Sequence, residues 1–561
     1  MKQIKDVIKE NKTIIILYIL IGIIITFLNL YSITYYQKIL DNFQYQTLTL
    51  KPIITYGIIL VIITVLGYIE NYPEQKVKHK LYFDYKLQAL KKMKTIDYLE
   101  YQKLGTGKLI QKIEDGSTSS RDILVDFYFK ILRYLLPTTI FSLLFIFKVK
   151  KELLIFVSLG YIIVILISNI ILKKLYSLKE NIIINQESLN KHLVRGFMEL
   201  VVFRTNKKYN TEIEIATKEI KNIVDDRIKI KLIHEMFFTI FAFIVDILKI
   251  IILGYAVLKT NLSVGSIVTI ISLLSKAYEP IAIFNVEYVD YKLNKITLKK
   301  YIEFLETKDD IALIKGKNIQ ELKCNIEFKN VSFSYNKTKK IIDNLSFNIK
   351  PNSSIALVGE SGSGKSTIIK LILGLIKNDE GHILIDNKEL SKLNLNNLYD
   401  SITYVSQETP IFDGTLRENI VLDKNINDEE IIKILNLVNL DKFYSKQEYG
   451  LDTELGEKGI KISGGEKQRI ALARLFFDKS KIIILDEATS ALDNITEKEI
   501  MTNILKNLKN KTIIIIAHRL ETIKDVDKIY VLKDGVIKEE GKFKELINKG
   551  GYFTKLYNTY K

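Results

Sequence analysis

Apolar residues follow two rhythms along this chain. Through the first half they gather in long, nearly unbroken stretches; beyond that they come as short bursts separated by turns and helical patterns. Six of the long stretches, at 13–36, 52–69, 123–147, 153–172, 237–258 and 262–288, reach or approach the length that crosses a hydrocarbon layer about 30 Å thick. The third is interrupted by Lys130 and Arg133, which leaves a clean apolar run only from Tyr134 and predicts that its early turns project into water. The first follows Lys2, Lys5, Lys9 and Lys12, as a secretory signal would. It is longer than a signal core and no small-residue cleavage site follows, so it reads as a retained anchor.

The connections set the orientation. Segments 71–122 and 173–236 are long and helical in pattern and carry 11 and 13 Lys plus Arg, against 6 in the three short connections together. Such an imbalance places the long loops and both termini in the cytoplasm. Lys148, Lys150 and Lys151 are a local exception on the outer side. Asp246 and Lys249, three apart in the fifth span, form either a structural bridge inside the bundle or part of a polar pathway. Lys276 and Glu279, beside Pro280, pose the same choice.

Length and charge narrow the picture further. At 561 residues the chain exceeds one ordinary domain. A net charge of +17 raises the question of nucleic acid, but the lysines are scattered among Ile and Asn rather than massed, which argues against that partner. Cys324 is the only cysteine, so no internal disulfide forms and the soluble half fits a cytosolic setting.

The second half alternates strands and helices, the pattern of an α/β domain. Its strongest signal is Gly359, Glu360, Ser361, Gly362, Ser363, Gly364, Lys365, Ser366 and Thr367, between a strand at 355–358 and a helix at 367–375. Glycines let backbone N–H groups curl around phosphate oxygens, and the helix adds its positive end. Lys365 then reaches the β- and γ-phosphates and Ser366 ligates Mg²⁺. A strand at 481–485 ends in Asp486 and Glu487. With the phosphate loop upstream, Asp486 suits the Mg²⁺ shell and Glu487 the activation of water; in isolation two acids there would be a solvated strand end. A third strand, 512–516, leads to His518, where an imidazole would bridge the γ-phosphate and the activating carboxylate, although a lone histidine is more often structural. Ser463, Gly464, Gly465 and Glu466 precede a helix at 467–477 and form a second anion-binding end. One chain thus has two phosphate-binding ends and one hydrolytic set, so the second end either completes a partner's site or is a plain helix cap.

Ser463-Gly464-Gly465 lying 23 positions before Asp486, with the phosphate loop before and His518 after, resembles the nucleotide-binding domain of ABC transporters. The resemblance runs from the first span to about residue 540. It implies that Tyr335 stacks on adenine, although strand alternation puts Val331, Phe333 and Tyr335 on one face, where packing alone would explain them. It implies that Gln407 contacts Mg²⁺ and links the site to the membrane domain, and that residues 490–493 communicate across a dimer. Segment 453–459 is similar to the one that touches intracellular loops in exporter-type members, which favours that branch and implies spanning helices that continue below the membrane. The departures are Ile462 for leucine and Glu466 for glutamine, the latter bringing a negative charge near the nucleotide.

The expected organisation is therefore a membrane α-helical bundle of six spans at 1–303, a linker at 304–324, and an α/β P-loop ATPase domain of ABC type at 325–561. Such a half-transporter uses ATP and Mg²⁺, sits in the cytoplasmic membrane and needs a second chain. A homodimer is favoured over a heterodimer because every hydrolytic residue is retained. Peptides, lipids, drugs and iron chelates all stay open as cargo. Two competing readings use the same ATPase residues: an ATP-gated sensor or regulatory module that moves no solute, and an importer built on an exporter-type fold.

Overall fold

In the computed structural model, residues 2–560 are described except 199, 260–261, 320–321, 337–338, 423, 457–458 and 518. The chain divides into two compact units, Met1–Lys94 with Leu104–Thr307, and Thr95–Lys103 with Lys308–Lys561. A short piece of the first long loop is thus part of the second unit, a grouping that a division by linear sequence does not contain.

Among the described residues, the second unit is built on ten strands. β1 (Ile326–Phe333), β2 (Ile342–Ile349), β4 (Glu380–Ile385) and β5 (Lys388–Glu389) form an antiparallel sheet in the order β2-β1-β4-β5. β3 (Ser354–Gly359), β6 (Ile402–Val405), β7 (Ile482–Asp486), β8 (Thr512–Ile516), β9 (Lys528–Lys533) and β10 (Val536–Gly541) form the larger sheet, ordered β10-β9-β3-β8-β7-β6. From β9 to β6 the pairing is parallel. Side chains alternate between its faces, as strand geometry requires. Ala356, Val358, Ile483, Leu485, Ile513 and Ile515 pack into one core with residues of the helices Gly464–Phe477 and Asn494–Asn507. Ile355, Leu357, Ile482, Ile484, Ile514 and Ile516 pack into another, shared with the helix Lys365–Ile372 and the antiparallel sheet. Sheet faces covered on both sides explain why these strands are almost wholly Ile and Leu. Cys324 is buried in the second core, and its thiol is pushed up to about 12 by that burial and by nearby Asp386, so it is chemically quiet.

In the first unit, and among the described residues, five helices are long and apolar enough to cross a membrane: Lys12–Gln44, Leu50–Met93, Leu109–Val149, Tyr209–Tyr255 and Val264–Leu305. The remaining expected span, 153–172, lies in the helix Leu153–Met198; most of its side chains beyond Ile163 fall outside the described residues, and the apolar stretch that is described is Leu153–Ile163. Ile16, Leu20 and Ile24, and likewise Ile54, Ile58 and Val61, repeat at helical spacing on the exposed surface. They suit contact with lipid rather than water.

The third span corrects the expectation of solvated early turns. Ile123–Phe129 and Ile131–Leu135 are wound as π-helix, and Ile123, Leu124, Val125, Phe127 and Phe129 are buried. Asp126 is exposed, but Lys130, Arg133 and Tyr134 are met by partners on other helices. Lys130 pairs with Glu287 at 2.5 Å, and Tyr134 donates to Glu279 at 2.6 Å. Arg133 pairs with Glu70 at 2.5 Å and donates to the Tyr18 hydroxyl at 2.5 Å, its guanidinium 4.5 Å above the Tyr18 ring. Lys249 donates to Asp246 at 3.0 Å. The Asp246 side chain is 65% exposed, which rules out a bridge buried among this chain's own helices. Lys276 bonds Glu279 at 2.8 Å, adding a second donor to the carboxylate that Tyr134 reaches.

Removing one member of a buried ion pair strands the other, at a cost on the order of 3–5 kcal/mol. Arg133→Met should therefore lower the unfolding temperature of the detergent-purified chain, and adding Glu70→Gln should recover much of the loss. An unchanged transition for the single variant would mean that Glu70 is solvated and that the pair does not hold the helices together.

Candidate functional site

The parallel strands bring the predicted chemistry to one edge of the larger sheet. Leu357 of β3 pairs with Ile516 of β8, Asp486 of β7 pairs with the same Ile516, and Val405 of β6 pairs with Leu485. The phosphate loop, Asp486 with Glu487, and Gln407 therefore emerge side by side. His518 lies outside the described residues.

The phosphate loop is already formed. Helix Lys365–Ile372 begins two residues earlier than the sequence pattern predicts, so Lys365, Ser366 and Thr367 are its first turn, with Gly364 at the cap in the left-handed region at φ 103°. A Cβ on Gly359 would come within 2.4 Å of the Leu532 carbonyl oxygen and 2.7 Å of Ser363 Oγ, so only glycine fits there. Lys365 is buried and donates from Nζ to the carbonyls of Gly359 at 2.8 Å and Glu360 at 2.9 Å. Burial lowers its pKa; Glu487 and Asp486 oppose that shift. Among the described residues, Ser363 Oγ is buried without a hydrogen-bond partner. A buried donor left open in a loop of inward-curled backbone fits an anionic ligand such as a nucleotide phosphate. Ser361 and Gly362 form the exposed tip of the loop.

Asp486 is buried at the end of β7, and that burial raises its carboxyl pKa. Tyr404 donates to its Oδ2 at 3.2 Å, and Lys370 and Lys365 also favour the charged form, whereas Glu487 opposes it. Glu487 follows with φ 52°, a left-handed conformation that costs a non-glycine residue about 1–3 kcal/mol, and its N–H donates to the Ile516 carbonyl at 3.1 Å. The Ser366 hydroxyl, the Gln407 amide and the Asp486 carboxylate are an all-oxygen donor set of the kind Mg²⁺ takes.

Tyr335 departs from the alternation that placed it with the core. Strand β1 is irregular between Phe328 and Phe333 and ends there, so Phe333 is 4% exposed while Tyr335 is 42% exposed. Its ring meets Phe333 edge-on at 4.9 Å. Lys370 Nζ is 5.8 Å from the Tyr335 ring centroid and 5.8 Å from that of Tyr98, a residue of the loop piece that belongs to this unit.

Ser463 caps the helix Gly464–Phe477, earlier than the expected start at 467. The Ser463 N–H and Oγ both donate to Glu466 Oε2 at 2.7 Å, and the Glu466 N–H donates back to Ser463 Oγ at 3.3 Å. The Glu466 carboxylate is thus turned onto its own cap. In segment 453–459, residues 457–458 lie outside the described residues, while Leu416 N donates to Thr453 O at 2.8 Å.

Residues 342–490 match the sequence profile of the ABC transporter. A Rickettsia typhi protein provisionally named an export ATP-binding/permease protein is 31% identical over 509 residues, 88% of this chain and 87% of its own length. The chain belongs to the ABC transporter family. A mitochondrial iron-sulfur clusters transporter of Debaryomyces hansenii is 38% identical over 309 residues, covering 53% of this chain and 44% of that one. A bacterial Atm1-family ABC exporter solved with ATP bound shares the fold, with a TM-score of 0.81 over 98% of both chains at 23% sequence identity. This protein is an ATP-driven ABC exporter of half-transporter form, a multi-pass membrane chain with a C-terminal ATPase domain.

Sequence reasoning missed several residues that shape this exporter's site. Tyr404, which donates to Asp486, belongs to none of the motifs. Gln468 is buried and bridges the capped helix to the following loop, donating to Ser490 Oγ at 3.0 Å and accepting from the Ala491 N–H at 2.8 Å. Arg519 pairs with the buried Glu497 at 2.8 Å, and Glu497 also accepts from Thr489 at 2.7 Å. The loop 490–493 is thereby held from both sides. Gln468→Met keeps the side-chain volume but deletes both of its bonds, worth about 1–3 kcal/mol. It should leave nucleotide affinity near normal while ATP turnover falls about tenfold. Unaltered turnover would show that the helix and the loop act independently.

Proposed function

We propose that two copies of this chain form one transporter and hold two ATP molecules between their nucleotide domains. In each site Lys365 and the backbone of 359–366 bind the phosphates, Tyr335 stacks on the adenine, and Ser463, Gly464 and Gly465 of the partner chain close over the γ-phosphate. Ser366, Gln407 and Asp486 would hold Mg²⁺, which when bound neutralises the terminal phosphates. Glu487 takes the proton of the attacking water, and His518 orients the γ-phosphate towards it. The observation that carries this reading is the convergence of the formed phosphate loop, Asp486, Glu487 and Gln407 at one sheet edge.

Support for the second chain comes from two features. Ser463 caps its helix with a glycine-lined N-terminus, an anion site distinct from the phosphate loop. Phe83, Leu87 and Leu90, past the apolar part of the helix Leu50–Met93, are exposed, a surface a partner chain would cover. The basic long loops favour a cytoplasmic nucleotide domain and cytoplasmic termini, with export across the cytoplasmic membrane.

Lys365→Ala should abolish nucleotide binding, and Glu487→Gln should bind ATP yet barely turn it over. In a Glu487→Gln, Cys324→Ser background, cysteines at Ser463 and Ser363 should cross-link two chains in an ATP-dependent way. Linkage only within one chain, or linkage indifferent to ATP, overturns the composite site.

A further inference from the structure

The C-terminal helix Tyr552–Tyr560 lies beyond every motif used above, yet it reaches the phosphate loop. Tyr552 donates from its hydroxyl to Glu360 Oε1 at 2.9 Å. The tyrosine is firmly placed. Its N–H donates to Glu539 Oε1 at 2.6 Å, the Phe553 N–H donates to Glu539 Oε2 at 3.0 Å, and Lys533 Nζ stands 5.0 Å from the Tyr552 ring centroid. Phe553 and Leu556 are buried, with Phe553 edge-on to Phe543 at 5.4 Å.

Glu360 poses an electrostatic problem. Its backbone belongs to the phosphate cradle, and its carbonyl accepts from Lys365 Nζ at 2.9 Å. Its carboxylate is a negative charge on an exposed side chain of a loop shaped for a polyanion, and even in water like charges about 4 Å apart repel by about 1 kcal/mol. A hydroxyl donor on a rigid helix is a device for drawing that carboxylate aside, since hydrogen bonds to ionised acceptors are among the stronger ones.

We propose that Tyr552 is a positioning residue for ATP binding, which holds the Glu360 carboxylate away from the phosphates. The proposal rests on the phosphate-loop assignment. Lys533 and the anchored helix fix the ring, and Tyr552 acts only through Glu360.

The test is a double-mutant cycle on the full-length chain in detergent, read by equilibrium binding of trinitrophenyl-ATP and by ATPase kinetics. Tyr552→Phe should weaken nucleotide binding about three- to tenfold, equivalent to roughly 0.7–1.4 kcal/mol, with the change in KM rather than kcat. In a Glu360→Gln background, where no charge needs restraining, Tyr552→Phe should have no further effect. An equal loss in both backgrounds would make Tyr552 a purely structural anchor of the helix and overturn the proposal, as would unchanged affinity in the single variant. Lys365→Ala serves as the separate control: retained binding there would refute the phosphate-loop assignment itself, whatever Tyr552 does.

Discussion

The nucleotide site depends on the register of four parallel strands, and hydrophobicity cannot set that register. Ile482 to Leu485 and Ile513 to Ile516 are apolar on both faces and buried on both faces, so a slip by one residue would bury the same chemistry. Polar bonds at the strand beginnings decide it instead. The N–H groups of Lys481 and Ile482 both donate to Ser401 O at 3.0 Å, and Thr512 N donates to Lys481 O at 2.9 Å. Asn352 N donates to Thr512 Oγ1 at 3.0 Å, and Ser354 donates from both N and Oγ to Asp527 Oδ2 at 2.8 Å. With the starts pinned, the ends fall together, and Gly359, Asp486 and Glu487 meet without any further device.

That meeting is electrostatically uncomfortable, and the structure divides the discomfort. Burial disfavours the charge on Lys365 and on Asp486 alike, and each makes the other's charge easier to bear. Lys365 is meanwhile satisfied by two carbonyls of its own loop, a neutral arrangement that a phosphate can displace because it offers a full charge. Glu487 is held in a left-handed conformation by its bond to β8. Strain of that kind persists only where the surroundings over-determine the backbone, and here the two flanking strands do so.

How much of this was legible in the sequence follows from the range of each interaction. Apolar runs and the phosphate loop are local signals, and the spans, the α/β domain and Lys365, Asp486 and Glu487 were read from them. The helix starts at 365 and 464 were misplaced because a glycine cap is both the end of a loop and the first residue of a helix. The alternation that makes core packing the bland alternative for Tyr335 assumes an unbroken strand, and β1 is irregular. Tyr404, Gln468, Arg519 and Tyr552 have no sequence signature at all. Their partners lie 82, 22, 22 and 192 positions away, and only the tertiary fold brings them together.

Buried polar groups meet different partners in the two units. In the membrane unit Arg133 and Lys130, which break an apolar run, are each matched by an acid from another helix. Matched pairs of this kind contribute little net stability, but they make wrong packings expensive, because any rearrangement that parts them strands a charge. In the nucleotide unit, among the described residues, the Ser363 hydroxyl of the phosphate loop is buried without a hydrogen-bond partner. A buried donor of that kind is costly unless something accepts from it, so an anion that does so returns that free energy on binding. The capped Ser463 helix stands between these cases: Glu466 completes it for now, and a stronger anion would have to displace that carboxylate from the Ser463 hydroxyl. On the proposed composite site, closure by a second chain would be a competition between two anions for one helix end, and so conditional on the nucleotide.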